Sequence, residues 1–200
     1  MPLASRIDGQ RVERWTAAIG AGDEAALRHD FAVIGARGPV IVWRPAVDRP
    51  AASQLRFLWR YWLDLRGLRA MPLASEIDAL EMRPALGYIM LVEPVDGGRD
   101  FRYRLYGSIL AAVSGFDMTG KLMTNHAASP YVVEFALAAF RAALARGEPL
   151  LTEHGPPTSI SSHEWHRLVL PLAGGDGKPN RFLVGNLPIG RNGQPITQRL

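Results

Sequence analysis

The sequence contains no cysteine, only two lysines and no long apolar run. Without cysteine, disulfide bonds and thiolate metal ligands are excluded. No apolar run approaches the ~20 residues that a membrane-spanning helix needs, and the N-terminus lacks the basic-then-apolar pattern of a signal peptide. We therefore expect a cytoplasmic protein without a membrane span.

The charge of the chain is modest and scattered. The formal net charge is +4, and the basic residues, almost all arginine, stand singly along the chain. A nucleic-acid surface needs its basic residues clustered, so we expect no nucleic-acid partner. With 200 residues, 48% of them hydrophobic and 21% charged, the chain has the composition of one globular domain, or of one domain with an extension.

The stretch from residue 101 to residue 121 reads FRYRLYGSILAAVSGFDMTGK. It opens with strict alternation, which predicts a half-buried strand with Phe101, Tyr103 and Leu105 on one side. Gly107 then breaks the alternation, and Ser108 suits the start of a short helix. We expect Gly107 to need either a positive φ or close backbone packing.

A helix is predicted from Ser53 to Arg66, closed by Gly67. Its apolar residues form two stripes, the first made of Leu55, Trp59 and Trp62, the second of Phe57, Tyr61 and Leu65. One packing contact covers only the first stripe, and exposed aromatic stripes tend to mark interfaces. We therefore predict a homodimer through the second stripe. Alternatively, the N-terminal segment of the same chain, with Trp15 and Phe31, covers the second stripe.

The rest of the chain predicts an α+β domain. Ser129, Pro130 and Gly147 mark the ends of a second helix. Strands are predicted at residues 148–154, 164–172 and 181–187, besides those before and after the hairpin turn at 94–98. Strands at both ends with helices between them give an antiparallel sheet covered on one face by short helices.

In these motifs the chain resembles a family of small bacterial PAS domains. The resemblance covers residues 55–187 and includes YWLDLRGLRAMPLASEIDALEMRPALGYIMLVEPV, RYRLYGSILAAVSGFDMTGK and WHRLVLPLAGGDGKPNRFLVG. It implies a PAS-like sensory domain at 51–190. Residues 1–50 lie outside the resemblance, and their local pattern predicts an N-terminal extension of two short helices and a strand-like run; residues 191–200 are expected to form a C-terminal tail. We have no physical account of the octamer that recurs at residues 1–8 and 71–78 as MPLAS-x-ID.

The covered face of the sheet and the inner stripe of the second helix enclose an apolar space. Such a space is either filled core or a ligand site, and the family resemblance implies a signal-sensing pocket there. No cofactor is identified, and a cysteinyl-flavin photosensor is excluded because the chain has no cysteine. The candidate ligand-binding residues are Tyr103, Leu105, His126, Tyr131, Phe135, Leu168 and Leu170.

Three function classes are open. The first, which we favour, is a non-enzymatic sensory module that binds a small ligand or a partner protein and signals in trans, since no kinase, helix-turn-helix or cyclase motif is found. The second is a metal-dependent hydrolase using His154, His163 and His166. We expect no metal site, because odd spacing on a strand sends the last two histidines to opposite faces. The third is a purely structural dimerisation module.

Overall fold

One antiparallel sheet organises the described part of the chain, which comprises residues 7–126, 128–155 and 164–197 of a computed structural model. Along the sheet, the first strand in sequence lies at one edge, followed by the fourth, fifth, sixth, second and third. Within these residues the strands are β1 (Val40–Trp43), β2 (Ile89–Val95), β3 (Asp100–Tyr106), β4 (Leu150–His154), β5 (Glu164–Ala173) and β6 (Pro179–Ile189).

The helices have ends that match their local sequence. Asp8 and Asp23 accept hydrogen bonds from first-turn amides of two helices, and Gly115 and Gly147 end two others in the left-handed conformation. None of the helices in the described ranges is long and apolar enough to cross a membrane. The α-helices are α1 (Gly9–Ala21), α2 (Glu24–Val33), α3 (Ser53–Arg66), α4 (Ser108–Ser114) and α5 (Pro130–Arg146), and short 3-10 helices lie at Ala74–Glu76, Arg83–Tyr88, Asp96–Gly98 and Met123–Asn125.

The predicted α+β class is confirmed, but helices cover both faces of the sheet rather than one. Helix α5 packs on one face, and α3 with the 3-10 helix at Arg83–Tyr88 packs on the other. The reason lies in strands such as β5, where every residue from 166 to 173 is buried. A strand that is apolar on both sides needs cover on both sides.

The N-terminal segment packs on the outer side of α5. Trp15 and Phe31 form an aromatic cluster with Tyr131 and Phe135, with ring centroids 5.1–6.2 Å apart. The segment also adds β1 to the sheet next to β4. On this side the layers are therefore α1 and α2, then α5, then the sheet.

An ion pair holds α1 to α5. The carboxylate of Glu134 is only 1% exposed, and it accepts hydrogen bonds from the backbone N–H of Asp8 at 2.7 Å and from Nη1 of Arg11 at 2.9 Å. A buried carboxylate is costly unless it is paired and hydrogen-bonded. The N-terminal segment supplies both partners, so it is an integral part of the core beside α5.

Gly107 lies at the junction between β3 and α4 with φ −57° and ψ 143°, so a positive φ is not what the position requires. The reason for glycine is close packing. A Cβ atom at this position would lie 2.3 Å from the carbonyl oxygen of Gly87 and 3.0 Å from that of Ile89. The amide of Gly107 also donates to the Ile89 carbonyl at 2.9 Å, which fixes the two backbone segments against each other.

Candidate functional site

A cavity of about 320 Å³ lies between the sheet and α5, beside α4 and the 3-10 helix at Met123–Asn125. This volume is at the lower end of the range for small-molecule sites. Most of the lining is apolar or aromatic, with a few polar groups both on the strands and on the segments that cover them. The lining residues are Met90, Tyr103, Tyr106, Val113, Ser114, Phe116, Met123, His126, Ala128, Ser129, Val132, Val133, Ala136, Phe140, His154, Trp165, Arg167 and Asn186.

The most unusual lining residue is Arg167, in the middle of β5. It is 5% exposed, and its Nε donates to Oδ1 of Asn186 on the neighbouring strand at 3.2 Å. Its Nη1 has no hydrogen-bond partner in the described residues. Burial lowers the pKa of Arg167 below its ordinary value, but arginine stays protonated in proteins. The cavity wall therefore carries a desolvated cation with an unused donor.

Two histidines border the same cavity and are neutral at neutral pH. His154 on β4 is 3% exposed, and burial, with a smaller effect of the nearby Arg167 charge, lowers its pKa well below the ordinary value. The same two causes lower the pKa of His126 to about 4. Nδ1 of His154 has no partner in the described residues, whereas Nδ1 of His126 accepts from the amide of Ala128 at 3.1 Å.

The tyrosines of the cavity are neutral as well. Burial is the main cause that raises the pKa of Tyr103 and of Tyr106. The hydroxyl of Tyr106 is hydrogen-bonded to Oγ of Ser114 at 3.1 Å. No carboxylate is found among the described residues that line the cavity. Among the described lining residues, the guanidinium of Arg167 is therefore the only charged group.

The structure brings only some of the predicted ligand-binding residues to the cavity. Tyr103 and His126 line it. Tyr131 and Phe135 lie in the same core, but they face the aromatic side chains of α1 and α2. The hydroxyl of Tyr131 donates to the carbonyl of Gly155 at 2.9 Å. Ligand binding by any of these residues stays a prediction.

Three other candidates do not border the cavity, because they lie on the opposite face of the sheet. Leu168 and Leu170 belong to the core around α3, and Leu105 packs against it. For Leu105 the reason is an irregularity in the pairing of β2 with β3, where Leu91 opposes Leu105 but Val92 opposes Tyr103. The extra residue in β3 shifts the alternation, so Tyr103 and Leu105 no longer share a face.

In β5 the residues that border the cavity are on the face opposite to the predicted Leu168 and Leu170. The cavity takes Trp165 and Arg167, whereas the even-numbered residues point to α3. Both faces of this strand are buried, so alternation alone does not distinguish them. The signal that sequence reasoning missed is Arg167 itself, a charged residue inside an otherwise apolar run.

The histidines of the hydrolase alternative are not brought together by the described residues. His154 opposes Trp165 in the ladder and Glu153 opposes His166, so His154 and His166 lie on opposite faces of the sheet. Nε2 of His166 is 3.0 Å from a carboxylate oxygen of Glu164. His163 lies outside the described residues. Within those residues no three metal-ligating side chains form a cluster.

The second stripe of α3 is half-buried. Phe57 and Tyr61 pack partly against the core below α3, Leu65 is also half-buried, and the Tyr61 hydroxyl accepts from the amide of Asp78 at 2.9 Å. The alternative that the N-terminal segment covers this stripe is wrong. Trp15 and Phe31 pack on the other side of the sheet.

An antiparallel sheet flanked by helices, with a small-molecule-sized cavity under one helix, defines an α+β domain with an internal cavity. The family model described as PAS domain matches residues 50–187, and the chain belongs to this family. The family is sensory rather than enzymatic.

The solved structure titled "Structure of an RNA-binding Light-Oxygen-Voltage Receptor" is similar over 88% of this chain and 48% of that chain, with 14% sequence identity and a TM-score of 0.39. This chain thus spans about half the length of that receptor. No curated protein matches the chain.

Proposed function

We propose that the protein is a sensory PAS module that binds a small molecule in the cavity between the sheet and α5, and that it signals to a partner protein. The observation that carries the proposal is the cavity itself. Protein cores are close-packed and contain few voids larger than a water molecule. A volume of about 320 Å³ is roughly ten times the ~30 Å³ share of one water molecule in the liquid.

The polar groups of the cavity support a binding role rather than a packing role. Arg167 and His154 are buried, and each has a ring or guanidinium nitrogen without a partner in the described residues. An unsatisfied buried polar group costs about 1–3 kcal/mol. Convergent polar groups in an apolar cavity are the usual arrangement of a ligand site, where the ligand supplies the missing partners.

Helix α5 is the element that connects the cavity to the rest of the molecule. Its inner side contributes Val133, Ala136 and Phe140 to the lining, and its outer side carries Glu134, which is paired with Arg11 of α1. A ligand that changes the position of α5 changes this contact too. We propose α5 and the N-terminal segment as the route by which ligand binding reaches a partner.

A homodimer is the assembly that we propose for this module. The second stripe of α3, formed by Phe57, Tyr61 and Leu65, is only half-buried, and the N-terminal segment packs elsewhere. Pairing of two α3 helices buries the remaining apolar surface of this stripe.

Native mass spectrometry of protein purified without denaturation tests the ligand. We expect a small-molecule adduct that is lost in an Ala136→Phe variant, because the added ring occupies the cavity. An Arg102→Gln variant, changed at an exposed position of β3, serves as the control that keeps the adduct. The proposal fails if the wild-type protein carries no adduct and no compound of a library of charged and neutral small molecules raises its melting temperature.

A further inference from the structure

We propose that the ligand is a small organic monocarboxylate with an apolar body, held by an ion pair with Arg167. This inference rests on the proposed function, because it names the chemical class of the molecule that the cavity binds.

The first argument is that the protein leaves the Arg167 cation without a carboxylate. Arg167 takes part in no salt bridge of the described residues, although twelve other pairs link an arginine to a carboxylate there. The residues outside the description, 1–6, 127, 156–163 and 198–200, contain neither aspartate nor glutamate. No acidic side chain of this chain is therefore left to pair with Arg167.

The second argument concerns geometry. Arg167 and Asn186 stand opposite each other in the β5–β6 ladder, and the bond from Nε to Asn186 leaves Nη1 without a partner in the described residues, in a side chain that lines the cavity. Planar guanidinium groups match carboxylates better than any other side chain does, and they are preferred in buried ion pairs. His154, two positions along β4 from the residue opposite Arg167, offers a second unpartnered nitrogen on the same face.

The third argument selects a monoanion. The histidines that border the cavity are neutral, so the lining supplies one positive charge. One carboxylate neutralises it, whereas a phosphate dianion leaves an uncompensated negative charge in an apolar space, which is costly.

The remaining lining sets the size and character of the ligand body. Most of the other lining residues have aliphatic, methionine or aromatic side chains, among them Met90, Phe116, Met123 and Phe140. A cavity of about 320 Å³ is at the lower end of the range for small-molecule sites, which favours a ligand body of one ring or a short branched chain. Phenylacetate has this size and combines one carboxylate with one aromatic ring.

The test compares carboxylates with their uncharged amides of equal shape. The probes are benzoate, phenylacetate, 3-phenylpropionate and 4-methylpentanoate, each with its primary amide, and phenyl phosphate as the dianion. Binding is measured by isothermal titration and by thermal shift. We expect at least one carboxylate to bind about tenfold or more tightly than its amide, which corresponds to one charge-assisted hydrogen bond, and to bind more tightly than phenyl phosphate.

Variants assign the preference to Arg167. Arg167→Gln is expected to abolish the difference between acid and amide, Arg167→Lys to keep part of it, and Arg102→Gln at the exposed surface to leave it unchanged. If Arg167→Gln does not fold, the comparison of acid, amide and phosphate on the wild-type protein decides the question alone.

The outcomes separate this inference from the proposed function. Amides or phenyl phosphate that bind as tightly as the carboxylates, or a preference for acids that survives in Arg167→Gln, overturn the carboxylate inference and leave a ligand-binding module. The carboxylate inference is also overturned if no probe binds and the small molecule that co-purifies with the protein contains no carboxylate. Failure of every probe with no adduct at all overturns the proposed function as well.

Discussion

Replacement of Ala136 by leucine tests whether the space under α5 is open in the ligand-free protein. Ala136 is 5% exposed and borders the cavity. Leucine adds about three methylene equivalents, each stabilising by about 0.8 kcal/mol when buried, and loses about 0.5–1 kcal/mol of side-chain entropy. We therefore expect Ala136→Leu to raise the free energy of unfolding by about 1.5 kcal/mol.

Ala139 provides the matched control on the same helix. It is 0% exposed and belongs to the same core, but it does not border the cavity. Ala139→Leu is the same chemical change in the same helix, so helix propensity cancels in the comparison. Here the added carbons have no space, and overpacking costs about 1–3 kcal/mol. The two variants are thus expected to shift stability in opposite directions.

The assay is urea or thermal unfolding of protein that has been denatured, dialysed and refolded to remove any ligand. At about 2–4 °C per kcal/mol for a chain of this size, the melting temperature of Ala136→Leu is expected to rise by roughly 3–6 °C. Its stabilisation by phenylacetate or any other ligand is expected to disappear. If Ala136→Leu is destabilised as much as Ala139→Leu, the space is filled core and the reasoning is refuted.

Three further changes test the fold, the histidines and the assembly. Gly107→Ala is expected to lower the free energy of unfolding by about 3 kcal/mol, because its Cβ meets a backbone carbonyl at 2.3 Å; urea unfolding measures it, with Gly175→Ala, which meets nothing within 4 Å, as control. Burial lowers the pKa of His126 from 6.5 to about 4 in the folded protein. Between these two values the unfolded chain binds more protons than the folded chain, so the free energy of unfolding falls as the pH falls through this window. We expect His126 to account for a loss of about 2 kcal/mol between pH 7 and pH 5, which urea unfolding measures and which is smaller in His126→Gln. Light scattering at tens of micromolar is expected to show a dimer that a Phe57→Glu/Tyr61→Glu variant dissociates without loss of the far-UV circular dichroism signal.

Each of these expectations has a contradicting result. Equal stabilities of Gly107→Ala and Gly175→Ala mean that the junction between β3 and α4 adjusts easily. A pH dependence that is the same with and without His126 means that this imidazole is solvated. A monomer at tens of micromolar, or a charged variant of α3 that unfolds, means that the half-buried stripe belongs to the monomer core.

The helices that flank the sheet could be predicted from the sequence because their signals are local. The helix α3 begins at Ser53 and ends at Arg66, as the apolar spacing and Gly67 indicated. The same holds for α5, whose ends follow from Pro130 and Gly147. Capping groups and a 3.6-residue period lie within a few residues of each other, so no knowledge of distant contacts is needed.

The face of the sheet that carries the cavity could not be predicted in the same way. Tyr103 and Leu105 obey the alternation of an ideal strand, and only the pairing with β2 introduces the irregularity that separates them. In β5, residues of both faces are buried, so alternation alone does not decide whether the face of Leu168 or that of Arg167 borders the cavity. Strand register is a tertiary property, and a shift of one residue exchanges the two faces.

The placement of the N-terminal segment was also beyond local reasoning, and it matters for the cavity. The family match begins at residue 50, yet α1 and α2 pack directly on the helix that forms the cavity wall. Glu134 on α5 has its charge compensated by Arg11, and a buried carboxylate that loses its partner is destabilised by about 3–5 kcal/mol. A molecule bound in the proposed site would contact a helix whose outer side packs against a segment beyond the matched domain. We propose that the position of α1 and the occupancy of the cavity are coupled through α5, because this one helix packs against both.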